Sequence, residues 1–262
     1  MTILSWNVNG IRAVEKKGFV KWISEEGADM ICLQETKARP GQLSGELLHP
    51  PCKKGKKPYL SFWASAKKPG YSGTAIYSRV QPLDVKVLGI GEFDDEGRVL
   101  QAEFAGFTLI SAYFPNSRDA GARLGYKLDF CAAMLDLCNG YAAKGRHFVL
   151  SGDYNIAHTA IDLARPRENE ENAGYLPEER AWMDAFTAAG HVDTFRHFHP
   201  GEKGHYSWWS YRGGARGRNI GWRLDYHCVD RGFLPRVLSS VIRNEVEGSD
   251  HCPVELRIKS GA

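Results

Sequence analysis

FVLSGDYN, residues 148–155, joins an apolar run of strand length to an acid and an amide, Asp153 and Asn155. An apolar run bounded by turn-forming residues reads as a buried strand. The same form recurs outward in both directions. Ile3–Val8 carries Asn7 and runs into Asn9, Met30–Leu33 runs into Gln34 and Glu35, and Leu109–Phe114 contains Tyr113 and leads to Asn116. Further on, WRLDY (222–226) carries Asp225, and GSDHCP (248–253) carries Asp250 and His251. Taken singly, each Asp or Asn is an ordinary turn residue. That reading accounts poorly for Gln34 and Glu35, which are not turn formers, and for Asp225, which falls inside a strand. A carboxylate buried there needs a partner or a cation.

Further strands are expected at Thr74–Tyr77 and Val254–Ile258, and helical patterns lie between the strands. Leu124, Leu128, Cys131, Leu135 and Cys138 repeat on one helical face, with Gly140 as a stop. Pro177 opens a second helix whose buried stripe is Trp182, Met183 and Phe186, with Gly190 as its cap. Strands and helices mixed without a regular βαβ rhythm predict an α+β sandwich. The 262 residues, 43% of them hydrophobic, suffice for one large core, and no repeat or linker divides residues 1–262, so a single domain is expected. The six cysteines form no CxxC pair and read as reduced core residues. Asn7 and Asn9 interrupt the first apolar run, which argues against a signal peptide, and no window approaches the ~18 apolar residues of a membrane span. An intracellular, soluble protein is expected.

The net charge of +3 hides a sorting of charges: Lys53, Lys54, Lys56 and Lys57 fall in one loop, Arg212, Arg216, Arg218 and Arg223 in another. Basic loops point to a polyanionic partner. Carboxylates and amides without cysteine–histidine ligand spacing favour a hard, oxygen-loving ion, Mg²⁺ or Mn²⁺, over tetrahedral zinc. Such an ion is shared with a phosphate oxygen, so metal-assisted phosphodiester hydrolysis is the leading chemistry. Adjacent residues of an extended segment point opposite ways, so Asp250 and His251 serve different neighbours. A histidine facing a phosphate needs a carboxylate behind it, and Asp225 is the best candidate, which leaves Asp250 for the metal.

SWNVNGIRA (5–13), CLQETK (32–37), YFPNS (113–117), SGDYNIAH (151–158), NIGWRLDY (219–226) and GSDHCPVE (248–255) resemble, in order and spacing, the signature blocks of the exonuclease III family of abasic-site endonucleases. SWWSYR (207–212) and DLARPRENEENAGYLPEER (162–180) sharpen the likeness, which spans residues 1–258. It implies a four-layered α/β sandwich of the DNase I-like kind, with the site at one edge of two sheets. Glu35 would be the principal metal ligand, and Asp250 would contribute directly or through water. Asp153 would align or deprotonate the attacking water, with Asn155 and Asn7 positioning it and the phosphate. His251, oriented by Asp225, would donate to a non-bridging oxygen, and Tyr113 would contact the phosphate or the leaving 3′ oxygen. Trp208 or Trp209, Trp222 and Leu224 resemble the walls of an abasic pocket, and core packing is an equal reading for Trp209. Asn116, Asn169 and Asn172 match positions that contact phosphate and sugar. Arg212 falls where vertebrate relatives place a wedging methionine, so a charged wedge or phosphate clamp is expected. Asn9 stands where they carry Asp, which weakens any second metal position.

The implied activity is Mg²⁺-dependent incision of double-stranded DNA 5′ to an abasic site, leaving 3′-OH and 5′-deoxyribose phosphate, with Mn²⁺ able to substitute. Some 3′–5′ exonuclease or 3′-phosphatase activity accompanies it in many relatives. The alternatives are an enzyme that mainly trims 3′ ends, a phosphoesterase acting on inositol phosphates, and a non-catalytic binder of damaged DNA. A monomer, cytoplasmic and nucleoid-associated, is expected. The chain begins directly at its first strand, which favours a bacterial or archaeal source.

Overall fold

In the computed structural model, which describes residues 1–52, 55–118 and 121–259, the apolar runs form the centres of two six-stranded mixed sheets. The expected basic residues Lys53 and Lys54 lie outside the described residues. The first sheet comprises β1 (Thr2–Asn7), β2 (Met30–Gln34), β3 (Leu60–Ala64), β4 (Thr74–Ser78) and, from the end of the chain, β11 (Val237–Ile242) and β12 (Val254–Ile258). Its order is β11-β12-β1-β2-β4-β3. The second comprises β5 (Asp84–Lys86), β6 (Val99–Phe104), β7 (Phe107–Tyr113), β8 (Phe148–Asp153), β9 (His191–Asp193) and β10 (Asp225–Asp230), in the order β5-β6-β7-β8-β10-β9.

Side chains alternate along the strands, and the alternation builds the layers. Met30 and Cys32 of β2 point into the seam between the sheets with Ile3, Leu109, Val149 and Val229, while Ile31 and Leu33 point outward. The outward face of the first sheet is covered by α1 (Ile11–Glu15) and α2 (Phe19–Glu26), through Val14, Phe19 and Ile23. The outward face of the second packs on α5 (Leu124–Ala143) and α6 (Pro177–Ala188), through Phe130, Met134, Trp182 and Phe186. Three short helices, α3 (Gly45–Leu48), α4 (Gly91–Asp94) and α7 (Thr194–Phe198), complete the α-helices among the described residues. The result is the expected four-layered sandwich, helix–sheet–sheet–helix.

Two features of α5 differ from expectation. Its buried face is Lys127, Phe130, Cys131, Met134, Cys138 and Tyr141, so Leu124, Leu128 and Leu135 flank the stripe. Gly140 does not stop the helix, which runs to Ala143 and turns at Gly145, φ +65°. Glycine costs a helix only about 1 kcal/mol, and packing on the sheet outweighs that. Helix α6 begins at Pro177 as expected, with Gly190 at φ +95° beyond its end. Among the described residues there is no disulfide, and Cys32, Cys131, Cys138, Cys228 and Cys252 are buried. No described helix is long and apolar enough to cross a membrane.

One topological fact positions the site. Each sheet holds one parallel pair, β1/β2 and β7/β8, and these pairs end side by side: Asn7 lies opposite Gln34, and Tyr113 opposite Asp153, which also faces Asp225 on antiparallel β10. Crevices at the carboxyl ends of parallel strands are where open α/β sheets bind ligands. The approach of β7 to β8 requires Gly152, because a Cβ there would lie 1.8 Å from the Ala112 carbonyl oxygen.

Candidate active site

Asn7, the last residue of β1, joins the two sheets: its Nδ2 donates to Glu35 Oε1 at 2.9 Å and to Asp153 Oδ2 at 2.8 Å. Asn9, Glu35, Lys37 and Asn155 all adopt positive φ, between +46° and +52°. Non-glycine residues take this conformation at a cost, and such residues cluster at functional sites. Asp153 is almost fully buried and also accepts the Asn155 backbone N–H at 2.8 Å. Burial pushes its carboxyl up to about 7; the Asp225 charge adds to the rise, while His251, Asn7 and Asn155 oppose it.

His251 and Asp225 meet as expected, Nδ1 to Oδ2 at 2.8 Å, and the other ring nitrogen faces Asp153 Oδ2 at 3.9 Å. Burial disfavours the imidazolium, but Asp225 and then Asp153 overcome it and raise the His251 pKa to about 10. The ring is therefore a cation and a donor at neutral pH. Ser207 Oγ accepts both the Leu224 and Asp225 N–H groups at 3.0 Å, which fixes the strand carrying the carboxylate. Asp250 points away from His251, as alternation requires, and accepts from Asn9 Nδ2 at 3.0 Å and Trp208 Nε1 at 3.2 Å. Against the effect of burial, His251, Asn9 and Trp208 hold its carboxyl below the ordinary value. Glu35 behaves alike: Lys37 and Asn7 overcome burial and hold it low. For Tyr113, burial and then the Glu35 and Asp153 charges raise the phenol well above its ordinary value, so it stays a donor.

These groups line a cavity of about 210 Å³ formed by Glu35, Tyr113, Asn116, Asp153, Asn155, Asp250 and His251 on one side and Trp208, Trp222, Leu224, Ala173 and Gly174 on the other. The two indoles stand edge to face at 85°. Gly174, φ +92°, lies so close that a Cβ would touch the Trp222 ring at 3.4 Å. Asn7 and Asp225 stand behind the lining residues. Asn116 Nδ2 donates to Asn155 Oδ1 at 3.2 Å, and Asn155 Nδ2 to the Phe114 carbonyl at 3.0 Å.

The remaining expected residues lie outside this lining. Asn169 and Asn172 are not part of this lining; they bond to each other at 2.7 Å in the turn that leads to Ala173. Arg212 is exposed in a short turn, also outside it. Trp209 belongs to the core, 3% exposed, with its Nε1 on Asn219. Two arginines assigned by charge to the polyanion are structural. Arg223 is buried between Asp162 and Asp193, at 2.7 and 2.8 Å. Arg216 stacks on Trp209 and donates to the Ser249, Asn244 and Val246 carbonyls, bracing the loop before Asp250.

Sequence reasoning missed three further cations. Lys127, fully buried, donates at 2.6 Å to the Asn155 carbonyl and at 2.6 Å to Glu179. Arg98 donates to the Tyr113 carbonyl at 2.9 Å and lies 5.0 Å from its ring centre. Lys37 bridges Glu35 and Asn9. Only Lys127 left a trace in the sequence, as a charge three residues before Phe130 on an otherwise apolar helix face.

Asp153, Asp225 and His251 present ligand atoms within 4.8 Å of one another. In that trio the protonated ring is hydrogen-bonded to Asp225 and faces Asp153 at 3.9 Å, and a protonated nitrogen does not ligate. Glu35 and Asp250, held ionised beside amide oxygens, are a hard donor set of the kind Mg²⁺ and Mn²⁺ take.

A sequence model of the Endonuclease/Exonuclease/phosphatase family matches residues 4–251, and the chain belongs to that family. It is a nuclease, with the DNase I-like fold of a metal-dependent phosphoesterase. It is 46% identical over 261 residues to an exodeoxyribonuclease of Bacillus subtilis, covering 98% of this chain and 99% of that one. To the DNA repair nuclease APEX1 of Danio rerio it is 43% identical over 262 residues, covering 98% of this chain and 81% of that one. The structure of an AP endonuclease from Leishmania major superposes with a TM-score of 0.85 at 27% identity, covering 99% of this chain and 88% of the other.

Proposed function

We propose that this nuclease acts as a single-domain monomer on double-stranded DNA, cutting on the 5′ side of an abasic site to leave 3′-OH and 5′-deoxyribose phosphate, with 3′-end trimming as a lesser activity. The observation that carries this reading is the cavity of about 210 Å³, walled by Trp208, Trp222 and Leu224, opening beside Asp153 and His251. A nucleotide without a base is cheap to extrude from the duplex and leaves little to accommodate, whereas a normal one brings a base the indole walls must reject. A groove of about 580 Å³ with Arg12, Lys16 and Lys37 in its lining adjoins Asn9 and offers a path for a phosphate backbone.

Glu35, with Asp250 directly or through water, would hold the divalent ion, Mg²⁺ or Mn²⁺, whose chemistry when bound is neutralisation of phosphate charge. The chain's own residues do the rest. Asp153, its carboxylate aimed by Asn7 and the Asn155 N–H, takes the proton of the attacking water. As the water bonds to phosphorus, charge gathers on the non-bridging oxygens, where His251 donates through Nε2, and as the P–O3′ bond breaks it passes to the leaving 3′ oxygen, which takes up a proton to become the 3′-OH. Asp225 keeps that ring charged and oriented. Tyr113 donates toward the phosphate or the leaving 3′ oxygen, and Asn155 and Asn116 steady the phosphate. Donors fixed where charge develops favour the transition state over the substrate.

The test is incision of a labelled duplex carrying one abasic analogue, with Mg²⁺ and with EDTA, beside an undamaged duplex with a recessed 3′ end. Fast, metal-dependent cutting at the analogue is expected. Progressive shortening of the undamaged duplex with weak incision at the analogue would mean an enzyme mainly of 3′ ends. Trp222→Ala should relax discrimination against undamaged DNA by roughly 10-fold or more, the worth of a lost apolar wall; unchanged selectivity would remove the indole from the pocket. Arg218, exposed on the basic loop, should on replacement by alanine lower the slope of log affinity against log salt by about 1. An identical slope would place it away from the DNA.

A further inference from the structure

Between Glu35 and Asn9 the structure already holds a cation, the ammonium of Lys37. Its Nζ lies 2.8 Å from Glu35 Oε2 and donates to Asn9 Oδ1. The other Glu35 oxygen accepts from Asn7 at 2.9 Å, and Asn9 in turn donates to Asp250 at 3.0 Å. Glu35 thus has both oxygens engaged, and the ammonium joins it through the Asn9 amide to Asp250, the other carboxylate assigned to the divalent ion. Asn9 is neutral and offers only a dipole, so the full charge of Lys37 falls on Glu35.

The backbone here is fixed while the side chain has somewhere to go. The Thr36 N–H donates to the Gly73 carbonyl at 3.1 Å and the Lys37 N–H to the Ser72 carbonyl at 2.9 Å. The Lys37 side chain is 31% exposed and borders the basic groove shared with Arg12 and Lys16. Rotation about its side-chain bonds alone carries the ammonium from Glu35 into that groove.

We propose that Lys37 is an internal counter-cation that occupies Glu35 in the metal-free protein and is displaced into the groove when the divalent ion binds, and that it thereby sets the metal affinity. This rests on the reading of Glu35 as a metal ligand. The device has a physical use: a bare Glu35 beside Asp153 would repel an incoming phosphate, and the ammonium offsets that charge until the ion arrives. Because the ion must displace a bound cation, and then sits near a displaced one, its affinity is lower than the donor set alone would give.

Titration of the full chain with Mn²⁺ in the absence of DNA, followed by the loss of the free-ion electron paramagnetic resonance signal, tests this. Lys37→Met, nearly isosteric and uncharged, should bind Mn²⁺ at least about tenfold more tightly than the natural chain. Lys37→Arg keeps the charge, and a guanidinium pairs with a carboxylate at least as firmly, so it should bind Mn²⁺ no more tightly than the natural chain. Glu35→Gln should abolish binding in the same range. Unchanged or weaker binding by Lys37→Met, with Glu35→Gln silent as expected, would overturn the role of Lys37 and leave Glu35 a ligand. Undiminished binding by Glu35→Gln would overturn the ligand assignment and the proposal together. Lys37 is half-buried and paired with Glu35, so thermal melts at the temperature of the titration check independently that each variant is folded.

Discussion

Replacing Asp153 by asparagine is expected to lower kcat by roughly 10³-fold or more, the upper part of what a positioned general base contributes, while affinity for abasic DNA changes less than about threefold. The substitution keeps the shape of a side chain that is 1% exposed, but removes its charge and its capacity to take a proton and leaves it one acceptor oxygen instead of two. The remaining oxygen can still accept from the Asn155 N–H, and the cavity walls are untouched. The pH dependence adds a second reading. Burial pushes the Asp153 carboxyl up to about 7, with Asp225 adding and His251 opposing. The base is lost as pH falls, so kcat of the natural chain should decline through an acidic limb lying well above the ordinary carboxylate range, and the residual rate of Asp153→Asn should lack it. Rapid-quench rates from pH 5 to 9, with binding measured by anisotropy in EDTA, check both. A matching loss of binding would show that Asp153 holds the site together and takes no proton.

The strand ends carrying the site were legible because two constraints coincide there. Apolar runs mark strands by length and bounding residues, and an acid such as Glu35 or Asp225 at the end of a run lacks a turn-forming excuse. Alternation then separated Asp250 from His251, and the buried Asp225 remained as the partner of the ring. The paired cations were not legible. In a sequence an arginine clamped between buried carboxylates looks the same as one reaching for a phosphate, and Arg223 finds Asp162 61 residues away. Arg216 is engaged by backbone carbonyls, which have no sequence signature at all. Lys127 supports Asn155 from 28 residues away and owes its place to the packing of α5 on the second sheet. The rotated face of α5 has the same origin: leucines at the margin of a stripe carry as much apolar signal as the phenylalanine and methionine at its centre. Edge strands such as β5 and β9, three residues each, are too short to show a period.

Asp225→Asn should cost roughly 10²- to 10³-fold in kcat at pH 8, within the range of general acid–base contributions, and distinctly less at pH 6. The asymmetry follows from what holds His251 charged. Burial favours the neutral ring, and Asp225 is the largest influence against it; together with Asp153 it raises the pKa to about 10. Without the carboxylate the imidazolium survives only at lower pH, so the alkaline limb of the rate profile should move down toward neutrality, and lowering the pH should restore part of the loss. Linkage gives an independent check. A pKa raised from an unfolded value near 6.5 to about 10 is a stability contribution that is complete below about 6.5 and is lost as pH climbs through about 10. Melting temperatures of the natural chain should therefore fall across that window, and those of Asp225→Asn should fall less, so that the two curves converge toward pH 10. A rate profile whose alkaline limb stays in place, together with melting curves that remain parallel, would mean that Asp225 orients His251 without setting its charge, which would then rest on the other acids near the ring, Asp153 and Asp250.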